Sequence, residues 1–242
     1  MRFITEQRLD DGVLEREFTL GEIPGTLWTP ESAEPTPLIL MGQPGGPAKM
    51  SPRLRARARY AAAEGFASAT IDLPGSGDRP RSAAAEQARA DLVRAVEAGG
   101  PVDDEIVERL VLPLVDKAVP EWQTTLDALL TLPEIKGPVG YSGGVIAIGI
   151  RLAAVDPRIA AAVLFAGSYV PRSMFDEARR ITIPLHVLLQ WDDEGNDRQL
   201  ALDLFDAFGS QEKTLNANMG GHTGVPQSAG DAANNFFVRH LK

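Results

Sequence analysis

The segment Gly140-Tyr141-Ser142-Gly143-Gly144 matches the spacing G-x-S-x-G. A serine on a tight strand-to-helix turn, with strained backbone angles and small residues two before and two after it, lifts its hydroxyl out of a sheet. The helix behind it adds a positive dipole end near a developing oxyanion. Gly-rich stretches also produce the pattern by chance, and the bland alternative is a helix-start serine among packing glycines. Context favours the turn. Pro138-Val139-Gly140-Tyr141 reads as a short strand running into Ser142, and a helix rich in Gly, Ala and Ile follows over 143–155.

A serine hydroxyl is a poor nucleophile until a base takes its proton. The chain has three histidines. His186 lies inside the apolar run 185–189 and is expected in the core. His240 stands near the end of the sequence and is expected as a solvated surface group. His222 follows Gly220-Gly221 in a loop after a strand. Loops at the carboxyl edge of a parallel sheet collect active-site residues. His222 is therefore the candidate base, with a structural loop histidine as the alternative.

The imidazole needs an acceptor that fixes its tautomer and stabilises its charged form. Trp191-Asp192-Asp193-Glu194 sits just beyond a predicted strand at 184–190 and gives the chain order Ser, acid, His. Asp193 is taken as the acid, with Asp192 next and Glu194 or Asp197 behind. Those not used would solvate the loop. A calcium site fits poorly, because EF-hand spacing and its closing glutamate are missing.

An oxyanion needs two N–H donors. Gly143, after the serine, offers one, and the loop Gly42-Gln43-Pro44-Gly45-Gly46 offers the other. Pro44 has no N–H. Gly45 is the expected donor, ahead of Gln43 and Gly46. A phosphate cradle is a weak rival for this loop, since no Lys-Ser/Thr pair follows.

These residues need a scaffold. The 242 residues suit one α/β domain, and 44% hydrophobic with 24% charged residues is ordinary for a globular chain. Short apolar runs alternate with amphipathic stretches, as in βαβ units. Residues 13–29 read as one or two edge strands, and strands are expected at 38–41, 66–73, 161–166, 184–190 and 213–217. Helices are expected at 51–64, 198–208 and 228–240. Polar-rich helices at 82–98 and 103–119 exceed what one crossover needs and read as an inserted cap at about 78–120. Trp122, Leu126, Leu129 and Leu130 then mark another apolar helix face. Arg53, Arg55, Arg57 and Arg59 read as a solvated helix surface, and 72–77 as a supporting turn.

A formal net charge of −9 argues against nucleic-acid or anionic-membrane partners. The absence of cysteine excludes disulfides, thiolate catalysis and zinc–thiolate sites. The N-terminus shows no signal-peptide pattern, and no apolar run is long enough to span a bilayer, so a cytoplasmic protein is the expectation.

Taken together, these residues resemble the α/β-hydrolase superfamily over nearly the whole chain. The loop at 42–46 looks like its oxyanion loop, although Gln43-Pro44 stands where a His-Gly pair is common. Asp72 to Gly77 looks like its D-x-P-G-x-G turn, Gly140 to Gly144 like its elbow, Asp193 like its acid and His222 like its terminal histidine. The chain looks closest to small esterases of the dienelactone-hydrolase-like and prolyl-oligopeptidase-like type. True dienelactone hydrolases use a cysteine that this chain lacks. The resemblance implies a mostly parallel sheet flanked by helices. It also implies cleavage of a small carboxylic ester through an acyl-enzyme on Ser142, without cofactor or metal. A thioesterase, acyltransferase or lactone hydrolase would use the same triad, and a non-catalytic binding protein could use the same scaffold.

Overall fold

The computed structural model describes residues 1–43, 47–99 and 102–242. Gly45, the expected second donor, lies outside them. Nine strands form one sheet: β1 (Arg2–Arg8), β2 (Leu14–Leu20), β3 (Ile23–Thr29), β4 (Thr36–Gly42), β5 (Ala67–Ile71), β6 (Ile135–Gly143), β7 (Ile159–Phe165), β8 (Leu185–Gln190) and β9 (Lys213–Asn218). Their spatial order is β1-β2-β3-β5-β4-β6-β7-β8-β9. The pairs from β1 to β5 are antiparallel, and every pair from β5–β4 to β8–β9 is parallel.

Helices cover both faces: α1 (Pro47–Ala63), α2 (Ala83–Glu97), α3 (Asp104–Leu129), α4 (Ile146–Val155), the single turn α5 (Phe175–Ala178), α6 (Arg198–Ala207) and α7 (Gln227–Leu241). Alternate strand residues point to opposite faces, so the sheet feeds two cores. Leu38, Leu40, Tyr141 and Leu164 join the side chains of α3, α4 and α6 on one face. Ile39, Met41, Val163 and Leu188 join Leu54, Ala58 and Ala61 of α1 and Phe236, Phe237 and Leu241 of α7 on the other. A polar pin ties α1 to the antiparallel strands. Glu15 accepts from Arg55 at 2.6 and 2.7 Å and from the Trp28 indole at 2.6 Å. The Arg55 bond chiefly holds the Glu15 carboxyl below the usual carboxylate range, with the Trp28 bond assisting.

Two expectations change. Residues 2–8, unassigned in the sequence, form the edge strand β1, with all but Phe3 exposed. Residues 103–119 and the Trp122 stretch are not two helices but one, α3, which continues through Pro113 and Pro120. Val107, Val111, Val115, Val119, Trp122, Leu126 and Leu129 form one buried stripe. An interior proline costs ~3 kcal/mol or more, whereas each buried aliphatic side chain returns ~1.5–3 kcal/mol. The stripe outweighs the two breaks. Asp103 caps the helix by accepting from the Glu105 N–H at 2.9 Å.

The turn after β5 supports the scaffold, as its sequence suggests. Arg79 donates to the Asp72 carbonyl at 2.7 Å and clasps Glu121 of α3 at 2.6 and 2.7 Å. The Asp72 carboxyl is buried beneath Gly77, and one of its oxygens has no partner among the described residues. Burial pushes its pKa up to about 6; Arg79 opposes the rise and Asp78 adds to it. A carboxyl raised above its unfolded value near 3.8 stabilises the fold fully below that pH and loses this contribution as pH climbs through 6. Asp72→Asn is therefore expected to melt above wild type at pH 8, with the gap closing at pH 4. A gap of equal size at both pH values would contradict this account.

Candidate active site

Beyond the carboxyl ends of β4 and β6 the strand order reverses, because β5 lies on one side of β4 and β6 on the other. In open α/β sheets ligands bind at such switch points. The register puts Met41 beside Ser142 and Gly42 beside Gly143. Tyr141 points to the α3 face, where its ring meets Trp122 edge-on at 6.3 Å. Ser142, one residue on, points to the α1 and α7 face.

The turn after Ser142 differs from the expected one. Among the described residues no non-glycine has a positive φ. Ser142 therefore sits next to the end of β6 without the expected strain, and the left-handed angles fall on Gly143 (φ 82°), the last strand residue, and Gly144 (φ 70°). Glycine adopts this region at no steric cost, so two successive glycines draw the turn off the serine. Gly144 has a second reason to be glycine: a Cβ there would lie 2.6 Å from the Gly42 carbonyl carbon. Gly140 similarly leaves room for Phe237 and Leu241 of α7.

The other two candidates meet at the next strand ends. Trp191 N–H donates to the Asn218 carbonyl at 2.8 Å, Asp192 N–H to Gly220 at 3.1 Å, and the Gln190 amide to Gly221 at 3.0 Å. These bonds lock the loop after β8 to the loop after β9. Across the lock, Asp193 Oδ2 lies 2.7 Å from His222 Nδ1. Its Oδ1 accepts from the Gly195 N–H at 3.1 Å, so both oxygens are held. The Asp193 side chain is 2% exposed and that of His222 52% exposed, giving a fixed acid and an accessible imidazole. With a carboxylate at Nδ1, the neutral ring carries its proton there and leaves Nε2 as acceptor. Phe165 supports the ring edge-on at 5.4 Å. Asp192 and Glu194 are exposed, and Asp197 instead caps α6 by accepting from Leu200 N–H at 3.0 Å.

Ser142, Gly143 and His222 line one cavity of about 500 Å³, whose apolar walls include Met41, Phe165, Leu188 and Phe237. No hydrogen bond joins Ser142 to His222. Arg57 Nη2 instead donates to Ser142 Oγ at 2.9 Å and to the Ser142 carbonyl at 3.3 Å. This corrects the reading of the α1 arginines as a solvated surface. Arg57 is half-buried, and burial, aided by the like charge of Arg53, pushes its pKa down to about 10. Helical spacing could have revealed it: with Leu54, Ala58 and Ala61 it completes an i, i+3, i+4, i+7 stripe.

The remaining assignments also sort by packing. His186 is buried in β8 beside Phe236, and burial lowers its pKa. His240 is not the solvated group expected. Its side chain is 12% exposed, packed on Phe236 at 4.5 Å and 3.3 Å from Glu212, because it lies one turn from Phe236 on α7. No residue of 78–120 lines the cavity among the described residues; α1 and α7 wall it instead. Among those residues, no three metal-ligating side chains cluster, and no helix is long and apolar enough to cross a membrane.

The chain matches no protein-family model and no curated protein. It is similar to a solved cold-adapted esterase from an Arctic intertidal metagenomic library, at 26% identity and TM-score 0.80 over 100% of both chains. It shares its fold with acetyl xylan esterase 1 of a Thermoanaerobacterium species: 14% identity, TM-score 0.67, 98% of this chain and 87% of that one. It also shares its fold with Est1E of Butyrivibrio proteoclasticus, solved with ferulic acid bound: 11% identity, TM-score 0.66, 98% and 99% coverage. The sheet order, the helices on both faces and these neighbours identify the chain as an α/β-hydrolase-fold protein whose structural neighbours are esterases.

Proposed function

We propose that this protein hydrolyses a small carboxylic ester through an acyl-enzyme on Ser142. His222 is the base, Asp193 orients it, and the Gly143 N–H with a donor from the 42–46 loop receives the oxyanion. The reading is carried by the 2.7 Å pairing of a buried Asp193 with an accessible His222 that shares a cavity with Ser142. Similarity to an esterase across both whole chains adds support.

The Arg57 contact is compatible with this chemistry. A hydroxyl donates once and accepts twice, so Oγ can accept from Arg57 while its proton goes to His222. A guanidinium at 2.9 Å also favours negative charge on that oxygen. Ser142 then attacks the ester carbonyl, and His222 takes its proton and returns it to the leaving alcohol. Water, deprotonated by the same imidazole, releases the acid.

A fluorophosphonate probe tests the nucleophile. One adduct is expected on the intact protein, mapping to the Ser142 peptide and missing from Ser142→Ala. A folded wild-type protein that takes no label would end the proposal.

A further inference from the structure

The cavity is basic inside an acidic protein. The chain carries a net charge of −9, yet the charged side chains lining the cavity among the described residues are Arg53 and Arg57, with His222 able to join them and no carboxylate. The arginines of α1 alternate every second residue, about 200° of helix rotation, so 55 and 59 share one face and 53 and 57 the other. Arg55 pairs with Glu15 and Arg59 with Asp11. Arg57 has no carboxylate partner among the described residues, and its Nη1 and Nε make no hydrogen bond there. A guanidinium withdrawn from water without a counter-ion is costly. Even with its affinity for the proton weakened, Arg57 stays charged at neutral pH.

We infer that the substrate is an ester that also bears a carboxylate close to the scissile carbonyl, and that Arg57, with Arg53 at the mouth, binds that carboxylate. The inference rests on the ester-hydrolase reading and names its substrate class. Guanidinium N–H groups match a carboxylate in charge and geometry, and Nη1 and Nε, on different sides of the group and without a hydrogen bond among the described residues, are each left to donate to it. The Nη2 bond to Ser142 sets the anion a short distance from the attacking oxygen, which suits a half-ester of a short dicarboxylic acid. Apolar walls then take the carbon chain and the leaving alcohol.

Monoethyl glutarate and diethyl glutarate differ in that charge. Wild type is expected to favour the monoanion in kcat/KM by about tenfold or more, the scale of one charge-assisted hydrogen-bonded pair in a desolvated site. Arg57→Gln should lower the ratio of the two kcat/KM values by about tenfold or more, and Arg57→Lys by less, because it keeps charge but not the fork. Glutarate itself should raise the Tm of wild type and of Ser142→Ala, and this rise should vanish when Arg57→Gln is added.

A wild-type preference for the diester, or no Tm rise with glutarate, would overturn the inference without any variant, so a misfolded Arg57→Gln does not shield it. Turnover of the diester with no glutarate effect removes the anion site and leaves ester hydrolysis standing. A glutarate effect through Arg57 with neither ester cleaved keeps the anion site and removes hydrolysis.

Discussion

Ser142→Ala is expected to lower kcat on p-nitrophenyl butyrate by ~10⁴-fold or more, the scale seen when a triad nucleophile is removed. KM should move little, because the apolar walls that hold an acyl chain stay in place. The variant should fold. Ser142 has no left-handed backbone angle, and the turn depends on Gly143 and Gly144, so a methyl group at 142 meets no conformational penalty. Its structural cost is the missing acceptor for Arg57 Nη2, whose remaining bond is to the Ser142 carbonyl at 3.3 Å. Steady-state kinetics on protein checked by circular dichroism would decide the matter, and unchanged turnover would rule out Ser142 as nucleophile.

The second large effect belongs to Asp193→Asn. The amide nearly matches the carboxylate in shape, and its oxygen can keep the Gly195 N–H bond. At the other position an NH₂ would face His222 Nδ1, and that nitrogen would become the acceptor. Nε2 would then hold the proton and could not take one from Ser142, a fault that costs ~10⁴ in kcat where a triad carboxylate is changed this way. The fall should appear in kcat rather than KM. Asp192→Asn is the matched control. Asp192 is exposed, and its N–H to Gly220 survives the change, so activity within about twofold of wild type is expected. If Asp192→Asn suffered the large loss and Asp193→Asn did not, the acid would have been misassigned.

The strands around the switch point were readable because buried parallel strands leave near-continuous apolar runs, as at 38–41 and 185–189. Asp193 was readable as a member of a polar loop after such a run, and His222 as a member of a Gly-rich loop after the half-exposed strand β9. The break between α3 and its expected neighbour was misread because proline is a local signal, and the buried stripe that overrides it spans 23 residues, from Val107 to Leu129. Strand β1 left no mark because its side chains face solvent and its order comes from pairing with β2.

Sequence by itself determined the order of the strands from β2 to β9, the glycines that permit the turn after Ser142, and Ser142, His222 and a short run of carboxylates as candidates for acid–base chemistry. Those depend on periodicity and on backbone freedom, which are properties of neighbours in the chain. Tertiary structure alone decided which carboxylate meets the imidazole, and which arginine of α1 leaves the surface to hold the serine hydroxyl. Asp192 and Asp193 are the same residue type one position apart, as Arg55 and Arg57 are two apart. Only the packing of α1 and of the two locked loops distinguishes them, by choosing which charge is withdrawn from water and what it finds there.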